Sequence, residues 1–327
     1  MTKAISSSVN IASYGRLHMG FFDLHGGLGR KFGSIGLSLS APQQLVTAGM
    51  AEQLQVSGDS QVRATHIAAN LLQKLNIKTA LSLNIEQHIP EHAGLGSGTQ
   101  LALAIGYAVN HLYQLNLSTS KIAELTGRGA RSGIGIAAFD HGGLLIDGGR
   151  ISNPASLIAK TPPLLARYDF PEQWRILLIF DSEQQGVHGV AEQQAFSQLP
   201  EFSENLAAHL CRHVLMQAMP ALLEHDLTGF GHAIQTLQSH VGDYFSPAQG
   251  GRYASSKVAA VLDYLAHQGV SCFGQSSWGP TGFAVFENAL EADKQLQQLT
   301  TNFTDSALSW LICSGRNQGA EVTATTD

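Results

Sequence analysis

Pro-Glu-His-Ala-Gly-Leu-Gly-Ser-Gly-Thr-Gln, at residues 90–100, is the stretch that decides how this chain is read. It holds three glycines and two hydroxyl residues between a strand-like segment and an apolar, helix-like segment. Glycine lets backbone N–H groups turn towards a ligand, and the first turn of a helix offers N–H groups without intrahelical partners at the positive end of its dipole. The stretch therefore predicts an anion-binding loop, above all for phosphate.

The residues on either side support this placement. Residues 81–89 alternate apolar and polar side chains with the period of a half-buried strand, which Pro90 ends. Over residues 101–112 apolar side chains recur at helical spacing, and Ser97 or Thr99 is placed to cap that helix. The loop is neither a Walker motif, since no lysine follows its last glycine, nor a dinucleotide fingerprint. Taken alone, it leaves phosphate binding and a plain connecting turn as equal alternatives.

Composition narrows the class of protein. Charged residues make up 13% of the 327 residues, against about 25% in a typical soluble protein. The net charge of −6 argues against broad binding to nucleic acid or to an anionic membrane. No apolar run is long enough to span a bilayer, and residues 1–10 lack the pattern of a signal peptide. Three widely spaced cysteines predict reduced thiols, and together these features predict a cytoplasmic protein.

The length predicts two domains. Four prolines fall within residues 152–172, which otherwise show little periodicity, and we place the boundary there, between a domain at 1–165 and one at 166–327. Strands and helices mix without strict alternation, which predicts an α+β architecture.

Two further loops carry residues able to bind a ligand. Residues 127–135 form a second Gly-rich loop, in which Arg128 and Arg131 are suited to clamp phosphate or carboxylate; the alternative is a solvated turn. Residues 275–282 place serine hydroxyls beside Trp278, which is suited to stack on an aromatic substrate but is equally typical of a core tryptophan.

The segment from Arg16 to Arg30 has a more ambiguous pattern. It brings together Arg16, His18, Asp23 and Arg30 among four glycines. Asp23 is suited to act as a base, a Mg²⁺ ligand or a stabiliser of positive charge, and Arg30 to hold an anion. By itself the pattern favours a pair of strands whose polar residues face water.

The three loops, in this order, resemble the motifs of the GHMP kinase superfamily. Its central motif, Pro-x-x-x-Gly-Leu-Gly-Ser-Ser, is matched at Pro90 and residues 94–97, and its second motif, Gly-x-x-Ser-Gly-Ile-Asp with a following Gly-Gly, at residues 129–134 and 142–143. The aspartate of that second motif is the catalytic carboxylate of those kinases, and here the position is Gly135. Glycine can neither accept a proton nor orient a hydroxyl, which argues against phosphoryl transfer.

The central loop departs as well, reading Ser97-Gly-Thr-Gln100 rather than Ser-Ser followed by small residues. With these departures the chain resembles one GHMP-fold family, the β-ribofuranosylaminobenzene 5′-phosphate synthases of tetrahydromethanopterin biosynthesis and one-carbon metabolism. The matching segments are Arg16-Leu-His-Met-Gly20, Asp23-Leu-His-Gly26, residues 94–100, residues 127–135 and residues 275–280. The resemblance covers nearly the whole chain. It implies a ribosomal S5-like N-terminal domain, a ferredoxin-like C-terminal domain and a homodimer.

The resemblance also implies a reaction and its participants. Phosphoribosyl pyrophosphate and 4-aminobenzoate condense to a C-riboside with release of CO₂ and pyrophosphate, and Mg²⁺ is bridged by the pyrophosphate. Asp23 and Arg30 are then catalytic, stabilising positive charge and holding the aminobenzoate carboxylate respectively. The residues expected to bind substrate or phosphate are Arg16, His18, Gly94, Gly96, Ser97, Gly98, Thr99, Arg128, Arg131, Ser276, Ser277 and Trp278.

Two other functions remain open at this point. One is an ATP-dependent small-molecule kinase in which a displaced carboxylate, at Asp140 or Asp147, replaces the missing one. The other is a non-catalytic ligand-binding protein with the same fold, which the loss of the kinase aspartate would equally suit.

Overall fold

Two long antiparallel strands, β1 (Ser8–Asp23) and β3 (Gly33–Ala51), form the backbone of the first sheet. The computed structural model describes residues 8–152, 161–186 and 198–325. Five further strands join this sheet: β4 (Gln55–Gly58), β5 (Ala80–Gln87), β6 (Leu144–Asp147), β8 (Leu164–Tyr168) and β13 (Glu321–Thr325). Within the described ranges the seven strands have the order β13-β1-β3-β5-β4, with β6 pairing with β3 and β8 pairing with β6. The short strands β2 (Arg30–Lys31) and β7 (Arg150–Ile151) pair separately.

Helices of the first half pack on this sheet through apolar faces. They are α1 (Gln61–Lys74), α2 (Ser97–Leu112), α3 (Thr119–Leu125) and α4 (Ile134–Asp140). Helix α2 is buried along most of its length, so its apolar residues face neighbours on several sides. The predicted strand and helix around residues 90–100 are confirmed. The predicted cap is wrong: the N-cap of α2 is Gly96 in the left-handed conformation, with no side chain capping the helix.

The second sheet has the order β10-β11-β9-β12 and is antiparallel throughout. Its strands are β9 (Arg175–Asp181), β10 (Cys272–Gln275), β11 (Gly282–Phe286) and β12 (Leu308–Cys313). The helices of this half are α5 (Glu204–His213), α6 (Met219–Leu223), α7 (Leu227–Gln249), α8 (Ser256–His267) and α9 (Ala289–Asn302), with a π-helical turn at Val214–Ala218 joining α5 to α6. Strands and helices in both halves confirm the α+β class.

One hydrophobic core joins the two sheets. It combines Leu37 and Leu95 of the first half with Leu178, Phe230 and Trp278 of the second, all of them buried. Part of the proline-containing stretch, residues 153–160, lies outside the described residues. The predicted boundary at 165/166 falls inside β8, a strand of the first sheet, and β13 returns from the end of the chain to pair with β1. The two halves therefore share both core and sheet.

Among the described helices, none is long and apolar enough to cross a membrane.

Candidate functional site

Arg16 and Ser276 donate hydrogen bonds to carbonyl oxygens of the loop before α2. Gly94 and Gly96 both have left-handed backbone, with φ of 84° and 82°. The Arg16 backbone N–H donates to the Leu95 carbonyl at 3.0 Å, and its guanidinium donates to the Gly94 carbonyl at 2.5 Å. The Ser276 hydroxyl donates to that same Gly94 carbonyl at 2.8 Å. Because its carbonyl groups are bound on one side, the loop leaves the N–H groups of the first turn of α2 facing the other side.

The loop at 275–282 touches the loop before α2 backbone to backbone. A Cβ on Gly94 would lie 2.2 Å from the Ser276 carbonyl oxygen, and one on Gly279 would lie 2.3 Å from the Ala93 carbonyl oxygen. Only glycine fits at either position. Strand β1 joins the same cluster, because Ser276 Oγ accepts from the His18 N–H at 3.0 Å and the Ser277 N–H donates to the His18 carbonyl at 2.9 Å. Three segments singled out in the sequence therefore meet at one place.

An open cleft of about 190 Å³ lies in front of the first turn of α2. We call it the α2 cleft. The residues that the argument uses from its wall are Arg63, Gly94, Gly96, Ser97, Gly98, Thr99, Arg128, Ser277, Trp278 and Gly279. Most of the residues predicted to bind substrate thus line a single cleft.

Two guanidinium groups lie over the start of α2. A Cβ on Gly98 would lie 2.0 Å from Nη2 of Arg63 and 3.3 Å from Nη1 of Arg128. Burial, together with the neighbouring charge of Arg63, lowers the pKa of Arg128. Within the described residues, Nε of Arg128 has no hydrogen-bond partner. Two arginines at the positive end of a helix, one of them with a buried unused donor, form an anion site suited to phosphate.

The sequence patterns did not identify Arg63 as a residue of the site. It lies in the first turn of α1, 35 positions before Gly98, outside every Gly-rich loop, and it also makes an ion pair with Glu91 at 3.5 Å. The helical pattern of residues 61–74 gives no hint that this turn faces another helix terminus. Its one signal is the scarcity of charge in this chain.

A smaller inner cavity of about 30 Å³ adjoins the α2 cleft, and the two share Ser277 and Trp278 in their walls. His18, Phe21 and Phe245 line it further in. The Trp278 ring lies 4.7 Å from the Phe245 ring and its residue is only 4% exposed, so this tryptophan both packs in the core and lines the site.

His18 is the buried titratable group of this cavity. Its side chain is enclosed, and neither ring nitrogen has a hydrogen-bond partner within the described residues. Burial, and secondly the positive charge of Arg16, lower the pKa of His18 to about 3. The imidazole is therefore neutral at physiological pH.

This burial predicts a loss of stability in mild acid. Below the usual histidine pKa of 6.5, the unfolded chain takes up a proton that folded His18 refuses, so the free energy of unfolding falls as the pH drops towards 3. Between about pH 7 and about pH 5 we expect this group to account for about 2 kcal/mol. Urea unfolding of the wild type and of His18→Asn at both pH values measures it; an equal pH dependence in the two proteins would contradict it.

Besides Arg16, His18 and Ser276, three predicted residues lie outside the α2 cleft. Asp23 Oδ1 accepts from the backbone N–H groups of His25 and Gly26, at 2.9 and 3.2 Å. Arg30 donates to the carbonyls of residues 148 and 149, at 2.7 and 2.6 Å. Neither they nor Arg131 line the cleft or the inner cavity. In this arrangement Asp23 and Arg30 fix turns, and their catalytic roles stay predictions.

Gly135, at the position of the kinase carboxylate, packs against the start of α2. A Cβ there would lie 3.1 Å from Cγ2 of Thr99, and the Gly135 carbonyl accepts from the Gln100 amide at 2.8 Å. Gly135, which replaces the kinase aspartate, and Thr99 of the first loop are thus in contact. The space next to Gly135 is taken by the Thr99 methyl group.

The two aspartates considered as replacements have structural partners. Asp147 is fully buried, and its carboxylate accepts from the Ser34 and Ser132 hydroxyls and from the N–H groups of Gly133 and Gly149, at 2.7–2.8 Å. Asp140 is exposed at the end of α4 and accepts from Thr119. Neither lines the α2 cleft.

Known protein families and solved structures are similar to this chain in sequence and in fold. Residues 62–143 match the family model of the GHMP kinase N-terminal domain, and residues 218–305 match that of the GHMP kinase C-terminal domain. A homoserine kinase from Cytophaga hutchinsonii has the same fold, with a TM-score of 0.67 at 16% identity, covering 99% of each chain. The predicted GHMP-kinase-like fold is confirmed.

Two archaeal relatives match over most of their length. Both are named beta-ribofuranosylphenol 5′-phosphate synthase. The one from Archaeoglobus fulgidus is 33% identical, over 94% of this chain and 97% of its own. The one from Methanocaldococcus jannaschii is 32% identical, over 85% and 90%. This chain therefore belongs to the GHMP kinase superfamily and, within it, to the enzyme family of the β-ribofuranosylphenol 5′-phosphate synthases.

Proposed function

We propose that this enzyme condenses phosphoribosyl pyrophosphate with an aromatic acid carrying an electron-donating para group, releasing CO₂ and pyrophosphate. The observation that carries the proposal is the α2 cleft, where the N-terminus of a buried helix and the guanidinium groups of Arg63 and Arg128 converge. Such a cleft suits a substrate with several phosphate groups.

The bond changes of this reaction balance without an added reagent. The C1–O bond of the ribose breaks, and its electron pair leaves with the pyrophosphate. The ring carbon that bears the carboxylate supplies the electron pair of the new C–C bond. The bond from that carbon to the carboxyl group then breaks, its electrons restore the aromatic ring, and CO₂ departs.

This chemistry explains how the site works without the kinase carboxylate. A kinase must remove a proton from the hydroxyl that accepts the phosphoryl group. Here CO₂ leaves the attacking carbon in place of a proton, so no general base is needed at position 135. Gly135 and its contact with Thr99 are compatible with this reaction and unsuited to phosphoryl transfer.

The arginines of the cleft act on the leaving group. As the C1–O bond breaks, negative charge grows on the pyrophosphate, and groups already aimed at that position stabilise it with little reorganisation. The opening N–H groups of α2 and the Arg63 and Arg128 guanidiniums supply such stabilisation. The arginines also neutralise the substrate when it binds, so their loss affects both KM and kcat.

Mg²⁺ belongs to the proposal as a companion of the substrate. Within the described residues, no three His, Cys, Asp or Glu side chains are arranged to hold a metal ion, and no carboxylate lines the described wall of the α2 cleft. The described part of the chain thus offers Mg²⁺ no cage of protein ligands. Mg²⁺ commonly binds through substrate phosphates while keeping several waters, and we propose that it arrives on the pyrophosphate group.

One assay tests the reaction and its alternatives. The protein is incubated with phosphoribosyl pyrophosphate, Mg²⁺ and carboxyl-labelled 4-aminobenzoate, and in parallel with labelled 4-hydroxybenzoate, because the archaeal relatives are named for a phenol. We expect labelled CO₂ in equal amount to pyrophosphate, from the 4-aminobenzoate reaction above all. A faster reaction with 4-hydroxybenzoate would move the substrate to the phenol series. Consumption of ATP with a small alcohol would support the kinase, and neither reaction would leave a binding protein.

The wider setting is proposed on the same basis. A reaction of this kind serves tetrahydromethanopterin biosynthesis in the cytoplasm, and we propose a homodimer. Light scattering on the purified protein tests the dimer: the mass of one chain, 34.8 kDa, would contradict it.

A further inference from the structure

His18 is a buried histidine whose two ring nitrogens lack a hydrogen-bond partner in the described part of the protein. Its side chain is 3% exposed, and neither ring nitrogen has a partner among the described residues. A neutral imidazole carries one donor and one acceptor. Leaving a buried polar atom unpaired costs about 1–3 kcal/mol. Such a cost indicates that a group from outside the described residues completes the site.

The inner cavity beside His18 has a size that limits what can enter. Its volume is about 30 Å³. A cavity of roughly 10–15 Å³ on this measure holds one water molecule. The inner cavity thus takes one small polar group and not a whole aromatic ring. Phe21 and Phe245 line its apolar side.

The geometry of the proposed reaction orients an aromatic acid on this wall. The attacking carbon bears the carboxylate and must reach the ribose, whose pyrophosphate lies in the α2 cleft. The para substituent is on the opposite side of the ring, so it points away from that cleft. Trp278 and Ser277 line both the α2 cleft and the inner cavity, and His18 lines the inner cavity. A ring bound against this shared wall with its carboxylate towards the cleft has its para group on the side of His18.

We propose that His18 is a specificity-determining residue, whose imidazole accepts a hydrogen bond from the para amino or hydroxyl group of the aromatic acid inside the inner cavity. The inference rests on the proposed function and adds to it the means by which the ring is oriented and selected.

The neutral state of His18 suits this role in the reaction as well. When the ring carbon attacks, the para group donates electrons and acquires positive charge. An imidazolium would repel that charge and has no lone pair to accept with. Burial lowers the pKa of His18, so the ring keeps a lone pair that can accept at physiological pH.

Equilibrium binding tests the proposal without turnover. Calorimetry with pyrophosphate and Mg²⁺ present compares 4-aminobenzoate with benzoate, which lacks the para group. We expect the wild type to bind 4-aminobenzoate about tenfold more tightly, the worth of one good hydrogen bond. His18→Phe should lose this preference, and His18→Asn should keep part of it. Phe245→Leu, which changes only the apolar wall, should weaken both ligands by the same factor.

The outcomes separate this inference from the proposed function. Release of labelled CO₂ by the wild type tests the function alone. If that release occurs and His18→Phe still prefers 4-aminobenzoate tenfold, or if the wild type has no preference, the role of His18 is wrong. Should His18→Phe fail to fold, NMR of the ¹⁵N-histidine-labelled wild type decides. The His18 ring nitrogens must shift with 4-aminobenzoate and not with benzoate.

Discussion

Arg128→Ala is expected to lower kcat/KM for phosphoribosyl pyrophosphate by about 30- to 1000-fold, since losing one partner of a buried charge contact costs about 2–4 kcal/mol. The Arg128 side chain lies over the start of α2, and its Nε is buried without a partner among the described residues. Steady-state kinetics with each substrate varied in turn measures the effect. The KM for the aromatic acid should change less than threefold.

Matched variants show whether the loss of activity depends on the geometry of the Arg128 guanidinium or only on its positive charge. Arg128→Lys keeps the charge but not the two-donor geometry, and we expect it to recover only part of the loss. Arg212→Ala removes an exposed arginine on α5 and should leave the kinetics unchanged. Arg131→Ala tests the other arginine of the second loop. A larger loss there than at Arg128 would mean that the phosphates lie elsewhere.

Asp147→Ala is expected to lower the free energy of unfolding by about 3–5 kcal/mol, because it leaves several buried donors without an acceptor. The carboxylate joins Ser34 on β3 to Ser132 and Gly133 at the start of α4. Urea unfolding followed by circular dichroism measures the loss. CO₂ release per folded molecule should change much less than stability does.

Asp140→Ala is the matched control for this prediction. Asp140 is exposed and accepts from Thr119, so its removal should cost about 1 kcal/mol or less. If Asp147→Ala instead unfolded like the wild type and abolished an ATP-dependent reaction, Asp147 would be a displaced kinase carboxylate and the proposed function would fall.

Local pattern was enough to predict the central part of the site. The sequence pattern of residues 81–112 by itself predicts a strand, a Gly-rich turn and an apolar helix, and the structure has each of them. The cap was wrong because a serine next to a glycine invites a side-chain cap, whereas here Gly96 takes the left-handed conformation that a side chain resists.

Contacts between distant segments could not be predicted in this way. Arg63 reaches the cleft because α1 packs beside α2, and His18 lines the same cavity as Phe245 of α7. Ser34 and Asp147 are 113 positions apart and meet only because β6 pairs with β3. Periodicity reports which face of an element is buried, but not which other element covers it.

The pairing of β13 with β1 constrains the order in which the first sheet can form during synthesis. Residues 8–12 bond to residues 321–325, and β1 goes on to supply Arg16 and His18 to the site. On the ribosome, the outer edge of β1 at residues 8–12 therefore stays unpaired until β13 has been synthesised. An unpaired strand edge can pair with foreign strands, so the nascent chain carries an aggregation-prone edge during that interval.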